Sequence, residues 1–227
     1  MHKLIYGAAA LLMLLFNLPA NAQHRIGVIG GLNFADAEVE IARQSANVLD
    51  RTLLGLGGVE DLRLSKNFGL QLEPMYLQKG GASTDIQPGV DFRLKSSYVE
   101  LPVFFKAEFG NAIRPYLMAG PSVAFLLQAD LEAELNGIVF KGDAKDAMEN
   151  VDFAAAFGAG VSYPLGRSAI FLEGRYFLGF TDNIKGGTFE IAAGPLVEDL
   201  TWVEETDKLK NRGFQIMAGV TYALSRK

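Results

Sequence analysis

The 227-residue chain contains no cysteine. That excludes disulfides, thiolate nucleophiles and cysteine-based metal sites. Histidine is nearly absent as well: the two are His2 and His24. A Ser-His-acid arrangement needs a histidine held against its nucleophile, and the pattern places His24 at the mobile start of the chain, outside the first strand. Zinc and copper sites are disfavoured for the same reason. Acidic residues outnumber basic ones, 26 to 21, and no basic face is clustered, so nucleic acid is not an expected partner. Beyond the first residues no uncharged apolar run approaches the 18 or so needed for a spanning helix. Any membrane crossing must therefore use strands.

The amino terminus carries the one long apolar run. His2 and Lys3 precede Leu4–Leu18, then Pro19 and the small-residue site Ala20-Asn21-Ala22. This predicts a signal peptide over 1–22, removed ahead of Gln23, and a single domain over 23–227. An exported chain without cysteine must be stabilised by its fold alone.

What fills that domain is alternation with a period of two, rich in Gly, Phe, Tyr, Val and Leu. Eight strands are predicted: about 25–34, 54–64, 68–78, 92–108, 114–128, 151–163, 168–180 and 213–224. Val99, Leu101, Val103 and Phe105, for example, oppose Tyr98, Glu100 and Lys106; Ile170, Leu172, Tyr176 and Leu178 oppose Glu173 and Arg175. Connections alternate in length. Leu64–Asn67, Gly110–Arg114 and Tyr163–Arg167 are short, whereas Ala35–Leu53, Lys79–Phe92, Asp130–Asp152 and Thr181–Arg212 are long. Tight turns on one side and long loops on the other are what an eight-stranded antiparallel up-and-down transmembrane β-barrel requires, with strands of about ten residues and both termini on the short-turn side. Alternation alone does not say which face points inward; the leader and the loop asymmetry favour apolar side chains outward.

On that reading Asp61, Arg63, Glu73, Glu100, Lys106, Glu173 and Arg175 share the lumen, where buried ions need partners. A salt-bridged plug is the first expectation; a polar path past Glu73, Glu100 and Arg175 is the second. No catalytic residue, cofactor or metal ligand is assigned. The acidic stretch Asp143-Ala144-Lys145-Asp146 with Glu149 and Asp152 lacks the spacing of a calcium loop and reads as solvated. In the first long connection Val39, Ile41, Ala42, Ala46 and Leu49 have roughly helical spacing, predicting a short amphipathic helix over Ala35–Asp50. Lys79–Phe92 reads as a flexible loop, and the last long connection as a hairpin containing Trp202, the only tryptophan.

Gly27–Asn33, Leu70–Gly80, Tyr98–Val103, Arg114–Gly120, Phe157–Val161 and Gly213–Leu224 together resemble the outer-membrane β-barrel domain family that includes PorT-like proteins. These are strand patterns rather than catalytic signatures. The resemblance implies a Gram-negative outer-membrane location, a monomer set in outer-membrane lipid, and envelope or secretion proteins as partners, since PorT-like members are linked to protein export. Three functions follow as expectations: a structural or binding barrel with a plugged interior and long extracellular loops, a narrow porin-like channel, and an export component.

Overall fold

A computed structural model describes residues 23–224 except 42, 47–50 and 88. The expected leader 1–22 and its cleavage site lie outside the described residues. Thirteen strands follow one another: β1 (Gln23–Ile41), β2 (Gln44–Ala46), β3 (Arg51–Arg63), β4 (Phe68–Leu72), β5 (Met75–Gln87), β6 (Val90–Glu108), β7 (Arg114–Leu135), β8 (Ile138–Asp143), β9 (Val151–Leu165), β10 (Ser168–Gly179), β11 (Gly187–Ala193), β12 (Leu196–Trp202) and β13 (Lys208–Ala223). All pair antiparallel.

Eight staves close on themselves. The ring runs β1, β3, the broken stave β4/β5, β6, β7, β9, β10 and β13, and β13 returns to β1 from Arg25↔Ala223 to Glu40↔Lys208. The break between β4 and β5 falls at Glu73-Pro74, where proline has no N–H for the ladder; both halves still pair with β3 and β6. The expected count of eight therefore describes the ring, while β2, β8, β11 and β12 are additional.

Burial decides the orientation that alternation left open. Val28, Leu56, Phe105, Leu117, Phe157, Leu172 and Ile216 are exposed on the outside of the ring, whereas Glu73, Glu100, Lys106, Glu173 and Arg175 are buried. Glycine on the inner face lets large inner side chains fit a narrow ring: a Cβ at Gly160 would overlap the Tyr116 ring, and one at Gly158 would meet Arg175. Alternation is broken in places. Leu62, in phase with the exposed Leu54, Leu56 and Leu64, is fully buried, and Leu72, in phase with the exposed Phe68, is buried too. Gln128, in phase with the buried Ser122, Ala124 and Leu126, is exposed, because the β6–β7 register slips between Ser97↔Gln128 and Tyr98↔Leu126.

The staves are far longer than the ~10 residues that cross a hydrocarbon layer: β1 and β6 have 19 residues and β7 has 22. The excess lies on the long-connection side, and there the polarity of the two faces inverts. On β6 the outward residues change from Val99, Leu101, Val103 and Phe105 to Lys95, Arg93 and Asp91, while inward ones change from Glu100 and Lys106 to Leu94 and Val90. The extension carries its own apolar core, including Val39, Val90, Leu94, Leu131, Phe189, Ile191 and Leu209.

These extensions replace much of what reads as loop. Residues 35–41 are strand rather than amphipathic helix: Ala37, Val39 and Ile41 also stand at period two, and the inward demand of the extension selects that period. Lys79–Phe92 is likewise largely strand, in β5 up to Gln87 and in β6 from Val90. Within Asp130–Asp152, β7 and β8 are joined by Asn136-Gly137, both at positive φ (52° and 79°), the geometry a two-residue hairpin of right-handed twist demands. The expected hairpin in the last connection forms from β11 and β12, and Trp202 packs edge-on against Phe189 at 5.0 Å.

Candidate functional site

The inner face of the ring holds a continuous ladder of charge. At the short-turn end, Lys106 Nζ lies 3.1 Å from Asp61 and donates to Gln71 Oε1 at 2.9 Å. Glu108 receives both Arg63 and Arg114, the latter at 3.3 Å. The ammonium of Lys106 also stands 4.1 Å above the Tyr116 ring centroid, a cation–π contact made in a desolvated place.

One level on, Arg175 is clasped by Glu73 and by Glu173 (3.0 Å), and its Nε donates to Gln215 at 2.7 Å. Phe104 and Phe177 lie on it with ring centroids 5.4 Å from the guanidinium carbon. Tyr116 donates to Glu173 at 2.7 Å. Gln71 donates to Glu73 and so ties this level to the one below.

The third level lies toward the extension. Lys79 bridges Glu100 at 2.8 Å and Asp152 at 3.1 Å. Ser122 donates to Glu100 at 2.7 Å, and Asn211 to Asp152 at 3.0 Å. Cations and anions interleave along the axis, so each buried charge meets an opposite one, the condition under which ions tolerate a dry interior.

Of the residues expected in the lumen, Glu73, Glu173 and Arg175 form one cluster, Asp61, Arg63 and Lys106 another, and Glu100 a third. Lys79, Glu108, Arg114 and Asp152 join them without having been expected from the sequence. Glu108 has the parity of Glu100 and Lys106 and was available to that signal. Lys79 was hidden because it sits where a strand reads as loop. Asp152 lies inside the expected strand 151–163 with inward parity but reads as part of the solvated acidic stretch; it belongs to the Lys79 pair, while Asp143 accepts the Lys145 N–H of its own loop at 2.9 Å. His24 also departs from expectation. It is part of β1, opposite Leu62, with Nδ1 3.3 Å from Glu60 on the outer face.

Space beside the ladder is scarce. A cavity against Asp61, Lys106 and Glu108 and another against Lys79, Asn211 and Gln215 measure about 10 Å³ each, room for about one water. The arrangement is chemically suited to neutralising and holding its own charges.

The profile of a family described as outer membrane protein beta-barrel domain matches residues 20–185. No curated protein matches the chain. Among solved structures, it is similar to a major outer membrane protein from Thermus thermophilus, with 10% identity, TM-score 0.52, and coverage of 90% of this chain and 100% of that one. It is also similar to the outer membrane protein OprG from Pseudomonas aeruginosa, with 13% identity, TM-score 0.50, and coverage of 90% and 97%. At such identities the likeness is one of fold.

Proposed function

The chain belongs to the outer membrane protein β-barrel domain family and resides in the outer membrane; from this premise we propose that it is a plugged barrel with a structural or binding role. In this reading a single eight-stave barrel spans the membrane as a monomer, after removal of the leader 1–22. Its lumen is closed by Asp61, Arg63, Glu73, Glu100, Lys106, Glu173 and Arg175, it catalyses no reaction, and the strand extensions stand in the exterior as the working surface.

The observation that carries this is the interleaved ladder, with cavities of ~10 Å³ beside it among the described residues. A conducting path needs a file of water or mobile ions, and charges bound to one another at 2.8–3.1 Å leave little to solvate a passing solute.

The test is conductance of the refolded protein in a planar lipid bilayer, with an unboiled gel shift reporting the folded barrel. A folded, silent barrel is the expected result. Reproducible steps that change when Glu100 or Arg175 is neutralised would replace this reading with the channel. Loss of exported cargo on deletion, with permeability unchanged, would replace it with the PorT-like export role.

A further inference from the structure

Above the Lys79 level the interior changes character. A cavity of about 360 Å³ opens between the inner faces of the extended strands, lined by Val39, Phe92, Leu94, Leu131 and Leu209, with Trp202 of the β11–β12 hairpin on one side. Its volume falls in the range of small-molecule sites, ~300–1,000 Å³, and its wall is of the kind such sites share, apolar with a few polar groups. Gly81 and Ala82 of β5 are also part of its wall and contribute little bulk to it. An apolar void of this size forfeits dispersion contacts along its whole lining and holds water poorly, so an apolar occupant is favoured on both counts.

From this cavity we infer a binding site for a small, uncharged, apolar molecule, carried on the outward half of the barrel. The inference rests on the reading that the strand extensions are the working surface and names what they take. The charge of the ligand follows from the lining. Among the described residues no lysine or arginine faces the cavity, and the one ionisable group there is the Asp207 carboxylate. That carboxylate is engaged by its own turn: Oδ2 accepts the Val203 N–H at 2.9 Å, and Oδ1 accepts from Thr206 Oγ1 at 3.1 Å. A carboxylate ligand such as a fatty acid anion would enter an apolar space without a cation to meet it and with a like charge beside it, a costly desolvation. A hydrocarbon, or a molecule of similar polarity, meets no such penalty. Ser83 and Thr201 supply polar atoms at the wall without adding charge.

Trp202 makes the site self-reporting, because it is the only tryptophan in the chain and lies in the cavity wall. The protein, reconstituted in lipid nanodiscs, is titrated with bromodecane and with ω-bromodecanoate at neutral pH while Trp202 emission is followed. Bromodecane should quench saturably and bind at least about tenfold tighter than the carboxylate, a difference of ~1.4 kcal/mol. Val39→Phe, which fills the cavity, should leave only the linear quenching due to probe dissolved in the bilayer. Thr201→Lys, at an exposed position on the wall, should raise carboxylate affinity and narrow the gap. Linear quenching indistinguishable between the parent protein and Val39→Phe would overturn the site, and equal affinity for the two probes would overturn its preference for uncharged ligands. Both results leave a conductance-silent barrel standing, so failure here is separable from failure of the plug.

Discussion

The two halves of the long staves obey opposite rules, and the pair β1–β13 shows where they meet. On the outer face Ile26 stands opposite Tyr222, Val28 opposite Val220, Leu32 opposite Ile216 and Phe34 opposite Phe214. One step beyond, Asp36 faces Arg212, Glu38 faces Lys210 and Glu40 faces Lys208, with Arg212 2.8 Å from Asp36. The inner face changes in the reverse sense, from Gln215 and Asn33 to Ala37, Val39 and Leu209. Lipid accepts apolar side chains and rejects charge, so within the membrane the apolar set must face out and polar groups must satisfy one another inside. Water reverses the demand, and the same strands then bury an apolar core as any soluble sheet does. The level of Phe34 and Phe214 thus marks one boundary of the apolar outer band. Pairing is continuous across it; only the partition of side chains changes.

The largest effect expected from this contrast is at the centre of the polar half. Arg175→Leu strands the Glu73 and Glu173 carboxylates against each other in a dry interior, and should cost about 3–5 kcal/mol in reversible urea unfolding from lipid vesicles. Adding Glu73→Gln and Glu173→Gln should recover most of that loss, since the unpaired charge and not the missing side chain is the cause. A triple variant as unstable as the single would break the argument that the ladder is an electrostatic unit.

A smaller effect separates the outer faces. Leu172→Arg, on the lipid side, should destabilise by roughly 2–4 kcal/mol if it lies near mid-membrane. Glu38→Leu, an outward change of the opposite kind beyond the boundary, should stay within about 0.5 kcal/mol. Similar losses at both positions, measured by the same unfolding assay, would remove the boundary placed at Phe34 and Phe214.

The smallest effect concerns the watery half alone. Lys141, paired at 2.8 Å across β7–β8, holds the Glu132 carboxyl below the usual carboxylate range, chiefly through the hydrogen bond it donates. A lowered carboxyl stabilises the folded state above its unfolded value and loses that contribution as pH falls through the lowered one. Lys141→Ala should return Glu132 to the ordinary range in an NMR titration with little change in unfolding, as an exposed pair contributes little. An unmoved Glu132 would show that the pair does not persist in solution.

Inside the apolar band the strands were legible because alternation runs through most of them: Val99 to Phe105 against Tyr98 to Lys106 reads the same in the chain and in the ring. The extensions were not legible by the same signal. A search for apolar-outward strands stops where polarity inverts, so Lys79, Asp36–Ile41 and Asp130–Leu135 read as loop although their period is still two. Asn136-Gly137, a strong hairpin signal, directly follows the last of those stretches. The candidate site divided likewise. Seven inward charges followed from parity, whereas Lys79 required knowing that its strand continues, and Asp152, at the start of an expected strand, was masked by the acidic stretch before it.

By itself the chain determined that it is all-β, that its strands alternate, and which residues share a face, because a period of two is a property of the backbone whatever surrounds it. Only the closed ring decided which face points inward, which cation meets which carboxylate, and that a cavity opens beyond the ladder. Those depend on register between strands far apart in sequence, where a slip of one residue exchanges the faces and only simultaneous satisfaction of all the buried groups selects among registers.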